Sequence, residues 1–158
     1  MEFEDEVTLF FSLAEEFGLR YMMVGGGAVN FHGYRRHSAD VDLWVEPVLE
    51  NFMVLGRILK RMGYGDVDFP ERVLAAEQNI SVNISPQQEI ELITRFDPGC
   101  TFQEAWERSI RSEIEGFRVA KYQVIGYEDL IQSKVRSGRP KDHLDILELQ
   151  RLRGGTEQ

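Results

Sequence analysis

Residues 25–44 read GGGAVNFHGYRRHSADVDLW: three consecutive glycines, then two aspartates alternating with apolar residues. A glycine inside regular structure costs about 0.5–1 kcal/mol against alanine, and a carboxylate buried without a partner is costlier still. Stability alone does not account for both features in one segment. In an extended strand side chains alternate between faces, so Asp40 and Asp42 share one face about 7 Å apart at Cα, while Val41 and Leu43 point into the opposite layer. The preceding Tyr21-Met22-Met23-Val24 is a short apolar run that reads as a buried strand, and residues 28–34 suffice for a short helix. The order is strand, glycine turn, helix, strand.

This arrangement suits a particular chemistry. Gly25, Gly26 and Gly27 let the backbone turn tightly and aim the free N–H groups of the next helix at an anion such as a triphosphate. Two carboxylates on one strand face suit a shared pair of magnesium ions, hard cations that take oxygen ligands and keep substrate phosphates among them.

The remaining chain supplies a small sheet and its helical backing. Apolar residues at helical spacing predict amphipathic helices over 3–17 and 48–62, with Pro47 suited to a helix start. Residues 63–77 mix Gly, Asp and Pro without clear periodicity and read as a loop with a turn of helix. Strands are expected over 79–84 and 89–94 around Ser85-Pro86, and a helix over 101–108 with Thr101 and Glu104 forming a capping box. A hairpin turning at Gly116 joins 110–115 to 117–122, and two helices, 127–137 and 140–152, end the chain on either side of Gly138. The fold class is α+β: a small mixed β-sheet backed by helices, with two C-terminal helices, in a single domain over 1–158.

Composition narrows the function further. The net charge of −9 argues against a broad nucleic-acid surface. The segment 132–153 is locally basic, however, with Lys134, Arg136, Arg139, Lys141, Arg151 and Arg153 against Asp142, Asp145 and Glu148. A local anion site fits there. No apolar run approaches membrane-span length and the N-terminus is acidic, so a cytoplasmic location is expected. Cys100 is the sole cysteine, which rules out an internal disulfide and a cysteine-based zinc site and leaves a buried or incidental thiol. His32, His37 and His143 lack metal-ligand spacing and read as surface or capping residues, and Phe31 and Trp44 as core.

These motifs resemble the nucleotidyltransferases of the DNA polymerase β-like superfamily. Their signature is an apolar residue and Gly-Gly or Gly-Ser, then nine to thirteen residues, then Asp-apolar-Asp. Val24-Gly25-Gly26 lies thirteen residues before Asp40-Val41-Asp42, and Gly26-Gly27 lies twelve before it. Ile90-Glu91-Leu92-Ile93 has the pattern of the family's third carboxylate, where the small members more often carry aspartate; Glu89 shares its strand face and competes for the role. The chain is also similar to small bacterial AbiEii-like proteins and minimal nucleotidyltransferases. Arg36 falls on the arginine of the first motif and Ser38 where threonine is common, and Glu128, Asp129, Leu130, Ile131, Lys134, Gly138, Arg139, Lys141, Asp142 and Asp145 match a later one.

The resemblance implies a magnesium-dependent nucleotidyltransferase that moves a nucleoside monophosphate from an NTP to a hydroxyl on a protein, small molecule or RNA. It places Asp40, Asp42 and Glu91 as catalytic and metal-binding residues, with two magnesium ions and manganese as a substitute. Nucleotide contacts fall to Gly25, Gly26, Gly27, Arg36, Ser38, Lys134, Arg139 and Lys141. The last three have an alternative reading as a solvated helix face paired with Asp142 and Asp145. The competing functions are a non-catalytic nucleotide-binding or toxin–antitoxin partner protein of the same fold, and a toxin acting on transfer RNA ends, which the net charge disfavours. A chain of this size leaves little beyond a catalytic core, so a partner or homodimer would complete the acceptor site. Asp-Val-Asp recurs at Asp66-Val67-Asp68 without a strand pattern, and is expected to bind no metal.

Overall fold

The computed structural model describes residues 5–35, 40–85, 87–114 and 117–155. Its elements, in chain order, are α1 (Asp5–Phe17), β1 (Tyr21–Val24), α2 (Gly25–Phe31), β2 (Asp40–Val45), α3 (Leu49–Arg61), α4 (Glu71–Leu74), β3 (Ile80–Ser85), β4 (Gln88–Ile93), α5 (Phe102–Arg108), β5 (Ile110–Ile114), β6 (Phe117–Val124), α6 (Tyr127–Ser137) and α7 (Pro140–Gly155). Six strands form one sheet in the order β3-β4-β2-β1-β6-β5. The sheet is mixed: β1 runs antiparallel to β2 but parallel to β6, and β2 runs parallel to β4. The expected α+β class, the mixed sheet and the two final helices are all present.

The core follows from the apolar periodicities. Every residue of β1 is buried, as a central strand with both faces covered requires. α1 packs on β6 and α3, with Phe11 ring-to-ring against Tyr21 at 5.8 Å and Tyr122 at 5.5 Å. At the far end of the β1–β2 pair the buried Asn51 side chain donates to the carbonyls of Arg20 (2.9 Å) and Glu46 (3.0 Å) and accepts the Arg20 N–H (2.9 Å). These bonds tie α3 to the start of β1 and the end of β2.

Local signals account for most element ends. The capping box at Thr101 forms as read, Thr101 Oγ1 accepting the Glu104 N–H at 3.1 Å while the Glu104 carboxylate accepts the Thr101 N–H at 3.0 Å. α6 ends on Gly138 at φ +66°, in the left-handed region that glycine enters without strain, and the Gly138 N–H closes on the Lys134 carbonyl at 3.0 Å. Arg108 grips Asp129 with two hydrogen bonds, at 2.9 and 3.0 Å, joining α5 to the first turn of α6; Cys100 lies half-buried beside them.

Some expectations need correction. The helix expected over 28–34 begins at Gly25 and ends at Phe31, so the glycines lie inside it and only Gly25 makes the turn. Phe31 is half-buried against the core rather than within it. His32 is a capping residue, as one of its two readings had it: it closes α2, its half-buried Nε2–H donates to the Ile125 carbonyl at 2.8 Å, and burial holds its pKa below the usual histidine value. His143 is exposed. The readings for Arg36, His37, Ser38, Pro86 and Gly116 lie outside the described residues.

Candidate active site

Strand register assembles the site. β1 and β2 pair so that Val24 faces Asp42, which sets the residue after the strand, Gly25, against the Asp42 side chain. Gly25 takes φ +62°, and a Cβ built there would overlap Asp42 Oδ2 and sit 3.1 Å from its Cγ. Glycine at this position is therefore a requirement of both the backbone turn and the neighbouring carboxylate. Gly26 continues along the same rim, and Gly27 is buried in α2.

The parallel pairing of β2 with β4 sets Asp40 opposite Glu89 and Asp42 opposite Glu91. Four carboxylates thus face the same side of two adjacent strands, an arrangement that like-charge repulsion disfavours unless something cationic joins it. Glu91 is held further by Ser81 of β3, whose Oγ donates to Glu91 Oε2 at 2.6 Å. Burial, and then the charges of Asp40 and Glu91, raise the Asp42 pKa to about 6, against a smaller opposite pull from Lys141 and Lys134. An ordinary aspartate titrates near 3.9.

Asp42, Val24, Gly25 and Gly26 border a cavity of about 490 Å³ whose opposite wall is α6, α7 and the junction between them. Lys134, Arg136, Arg139 and Lys141 lie on that wall, and Arg95 and Phe96 follow β4 on the same rim. The cavity therefore brings Asp42 of the sheet together with the cations of α6, α7 and their junction, where Asp142 also lies. Asp40 and Glu91 stand beside Asp42 on the sheet face, outside the cavity lining.

Lys134 is not on a solvated face. Its side chain is 6% exposed and its Nζ lies 3.0 Å from Asp145 and 3.4 Å from Asp142, both carboxylates buried. Arg139 adds a fork on Asp142, Nε at 2.8 Å and one terminal nitrogen at 3.2 Å. Burial pushes the Asp142 carboxyl up, but the hydrogen bonds from Arg139 and Ser137 and the charge of Lys134 outweigh it and bring its pKa to about 2. The pairing with Asp142 and Asp145 is as read from the sequence; its burial is not. Lys141, exposed and in none of the ion pairs among the described residues, is the cation whose charge acts most on Asp42.

The donor set fits a divalent cation of the magnesium kind. Its members are hard oxygens, and Asp42 is a desolvated carboxylate repelled by two others, which a cation would relieve. No three His, Cys, Asp or Glu side chains among the described residues already converge on one point. Asp66-Val67-Asp68 lies in coil as expected, with Asp66 exposed and paired to Lys60 at 3.0 Å.

The loop residues Arg95, Phe96 and Asp97 border the cavity without having been singled out in the sequence. Their local signal is the turn pattern Asp97-Pro98-Gly99, which marks a loop but not what it faces. Among the described residues no helix is long and apolar enough to cross a membrane.

No protein-family model and no curated protein sequence matches the chain. Solved structures do. The fold is similar to that of the lincosamide antibiotic adenylyltransferase LnuA with lincomycin bound, at 17% identity and TM-score 0.58 over 94% of this chain and 96% of that one. It is also similar to ANT(2")-Ia in complex with adenylyl-2"-tobramycin, at 14% identity and TM-score 0.54 over 96% of this chain and 88% of that one. At these identities the likeness is one of fold, a nucleotidyltransferase-like fold over almost the whole chain.

Proposed function

We propose that this chain is a nucleotidyltransferase, moving a nucleoside monophosphate from a nucleoside triphosphate to a hydroxyl of a small-molecule acceptor, with magnesium as its metal. The observation that carries this reading is the register that sets Asp42 opposite Glu91 and against Gly25, at a cavity that Arg139 and Lys141 also line. The fold it shares with two adenylyltransferases of antibiotics supports both the reaction class and a small acceptor. The resemblance of its motifs to the AbiEii-like proteins supports the same reaction class.

Asp40, Asp42 and Glu91 would hold two magnesium ions. Bound there, magnesium supplies charge neutralisation at the α-phosphate and lowers the pKa of a coordinated hydroxyl. Gly25 and Gly26 bring backbone close to the phosphate chain, and Lys141 and Arg139 meet its charge from the opposite wall. Lys134 contributes chiefly by holding α6 to α7, since Asp142 and Asp145 already balance its charge. The acceptor oxygen forms its bond to the α-phosphorus as the bond to pyrophosphate breaks, with Glu91 beside the hydroxyl to help remove its proton.

The test is transfer itself. The protein, magnesium and each α-labelled triphosphate are incubated with a panel of aminoglycoside and lincosamide hydroxyl compounds, with a cell metabolite extract and with RNA. Label on a small molecule, lost in Asp42→Asn, is the expected result. Absence of triphosphate binding by calorimetry at millimolar concentration would remove the reading.

A further inference from the structure

The cavity lining is not uniform in character: beside Gly25, Asp42 and Lys141 it includes the apolar Ile93, Phe96 and Leu130. Strand register relates the two sets, since Asp42 pairs with Glu91 of β4 and Ile93 follows on that strand. Glu91 and Ile93 sit on one face of β4, one two-residue step of about 7 Å apart. A step of that length separates an α-phosphate at the carboxylates from the base of its own nucleotide.

Phe96 is also a prepared surface. Its ring packs against Trp44 at a tilt of 46°, 5.0 Å between centroids. Trp44 meets Phe102 edge-on at 4.9 Å, and Phe102 stacks on Trp106 at 5.9 Å. The Arg20 guanidinium lies 5.5 Å from the Phe102 ring centre and 4.8 Å from that of Trp106. Phe96 is therefore the cavity-side end of a row of fixed rings, already oriented before any ligand arrives. Leu130 of α6, also in the lining, is buried, and the charges of Arg136 and Asp97 in the same lining are paired with each other at 2.9 Å.

We propose that Phe96 is the stacking platform for the nucleobase of the triphosphate, with Ile93 and Leu130 completing an apolar slot for a heteroaromatic ring. The inference rests on the nucleotide reading of the cavity and adds where the base lies and how it is chosen. Stacking recognises the π-face that every base has, so adenine and guanine bind alike, and both bind more tightly than the smaller pyrimidines.

The experiment compares magnesium-ATP with magnesium-tripolyphosphate, which carries the phosphates without a base, by calorimetry on the full chain. Phe96→Leu keeps apolar packing against Trp44 and removes the aromatic face; Phe96→Tyr keeps that face. Phe96→Leu should weaken ATP about tenfold or more and leave tripolyphosphate within about twofold, while Phe96→Tyr holds both near wild type. Unchanged ATP affinity in Phe96→Leu, or equal losses for ATP and tripolyphosphate there with ATP binding also lost in Phe96→Tyr, would overturn the inference alone. A wild-type chain that binds neither ligand would instead bring down the proposed function, and this inference with it.

Discussion

Asp42→Asn should raise the stability of the ligand-free protein while abolishing its metal-dependent nucleotide binding. Asp42 titrates at about 6 in the folded chain because it is partly desolvated and flanked by Asp40 and Glu91. Against an ordinary aspartate that is about two pH units, or roughly 3 kcal/mol as an upper bound and about 2 kcal/mol after solvent screening. The sign follows from proton counting. Below about pH 4 the carboxyl is neutral in both folded and unfolded chains and carries no penalty. Between about pH 4 and 6 the unfolded chain loses this proton before the folded one does, so the group's contribution to stability falls as pH rises. Above about pH 6 the whole penalty is present. Asparagine never carries it. The variant's melting temperature should therefore exceed the wild type's by roughly 4–8 °C at pH 7.5 and by almost nothing at pH 4. Thermal melts followed by circular dichroism in a chelator, at half-unit steps from pH 4 to 8, measure this. Adding magnesium-ATP at pH 7.5 should raise the wild-type melting temperature and leave that of Asp42→Asn in place. An advantage of the same size at pH 4 and pH 7.5 would show that the gain is not electrostatic and would refute the strained-carboxylate account.

Gly25→Ala should destabilise the fold by about 1–2 kcal/mol through its positive φ, and weaken manganese binding, read by electron paramagnetic resonance, because the new methyl must displace the Asp42 carboxylate. Unchanged manganese affinity would separate the turn from the carboxylate. Lys134→Met should cost about 3–5 kcal/mol in denaturant melts, since it withdraws the ammonium from two buried carboxylates. A loss below about 0.5 kcal/mol would return Lys134 to a solvated position. Asp66→Asn and Asp68→Asn should leave manganese titrations and melting within error, because Asp66 is exposed and nothing in the coil around it holds the two side chains toward one ion.

What the sequence determined by itself was local. The alternation of Asp40, Val41, Asp42 and Leu43 places both aspartates on one face of β2 wherever that strand is put, since a period of two needs no tertiary information. The Thr101–Glu104 capping box, the bounds of α6 and its stop at Gly138 are likewise set by residues within one turn of each other. The identity of the opposing carboxylate was not of this kind. Glu89 and Glu91 are equivalent by alternation, and only the parallel pairing of β2 with β4, strands more than forty residues apart, sets Glu91 across from Asp42. Gly25 reads from the sequence as a flexible turn; the tertiary structure makes it a space kept clear for a side chain seventeen positions away. Lys134, Asp142 and Asp145 carry helix-surface composition, yet they are buried, because the break at Gly138 folds α7 back on α6 and lets three charges leave water together as partners. The same folding back brings Lys134, Arg139, Lys141 and Asp142 to the cavity that Asp42 borders. Sheet and helices line that cavity together, so it exists only where helices late in the chain meet a sheet face laid down early.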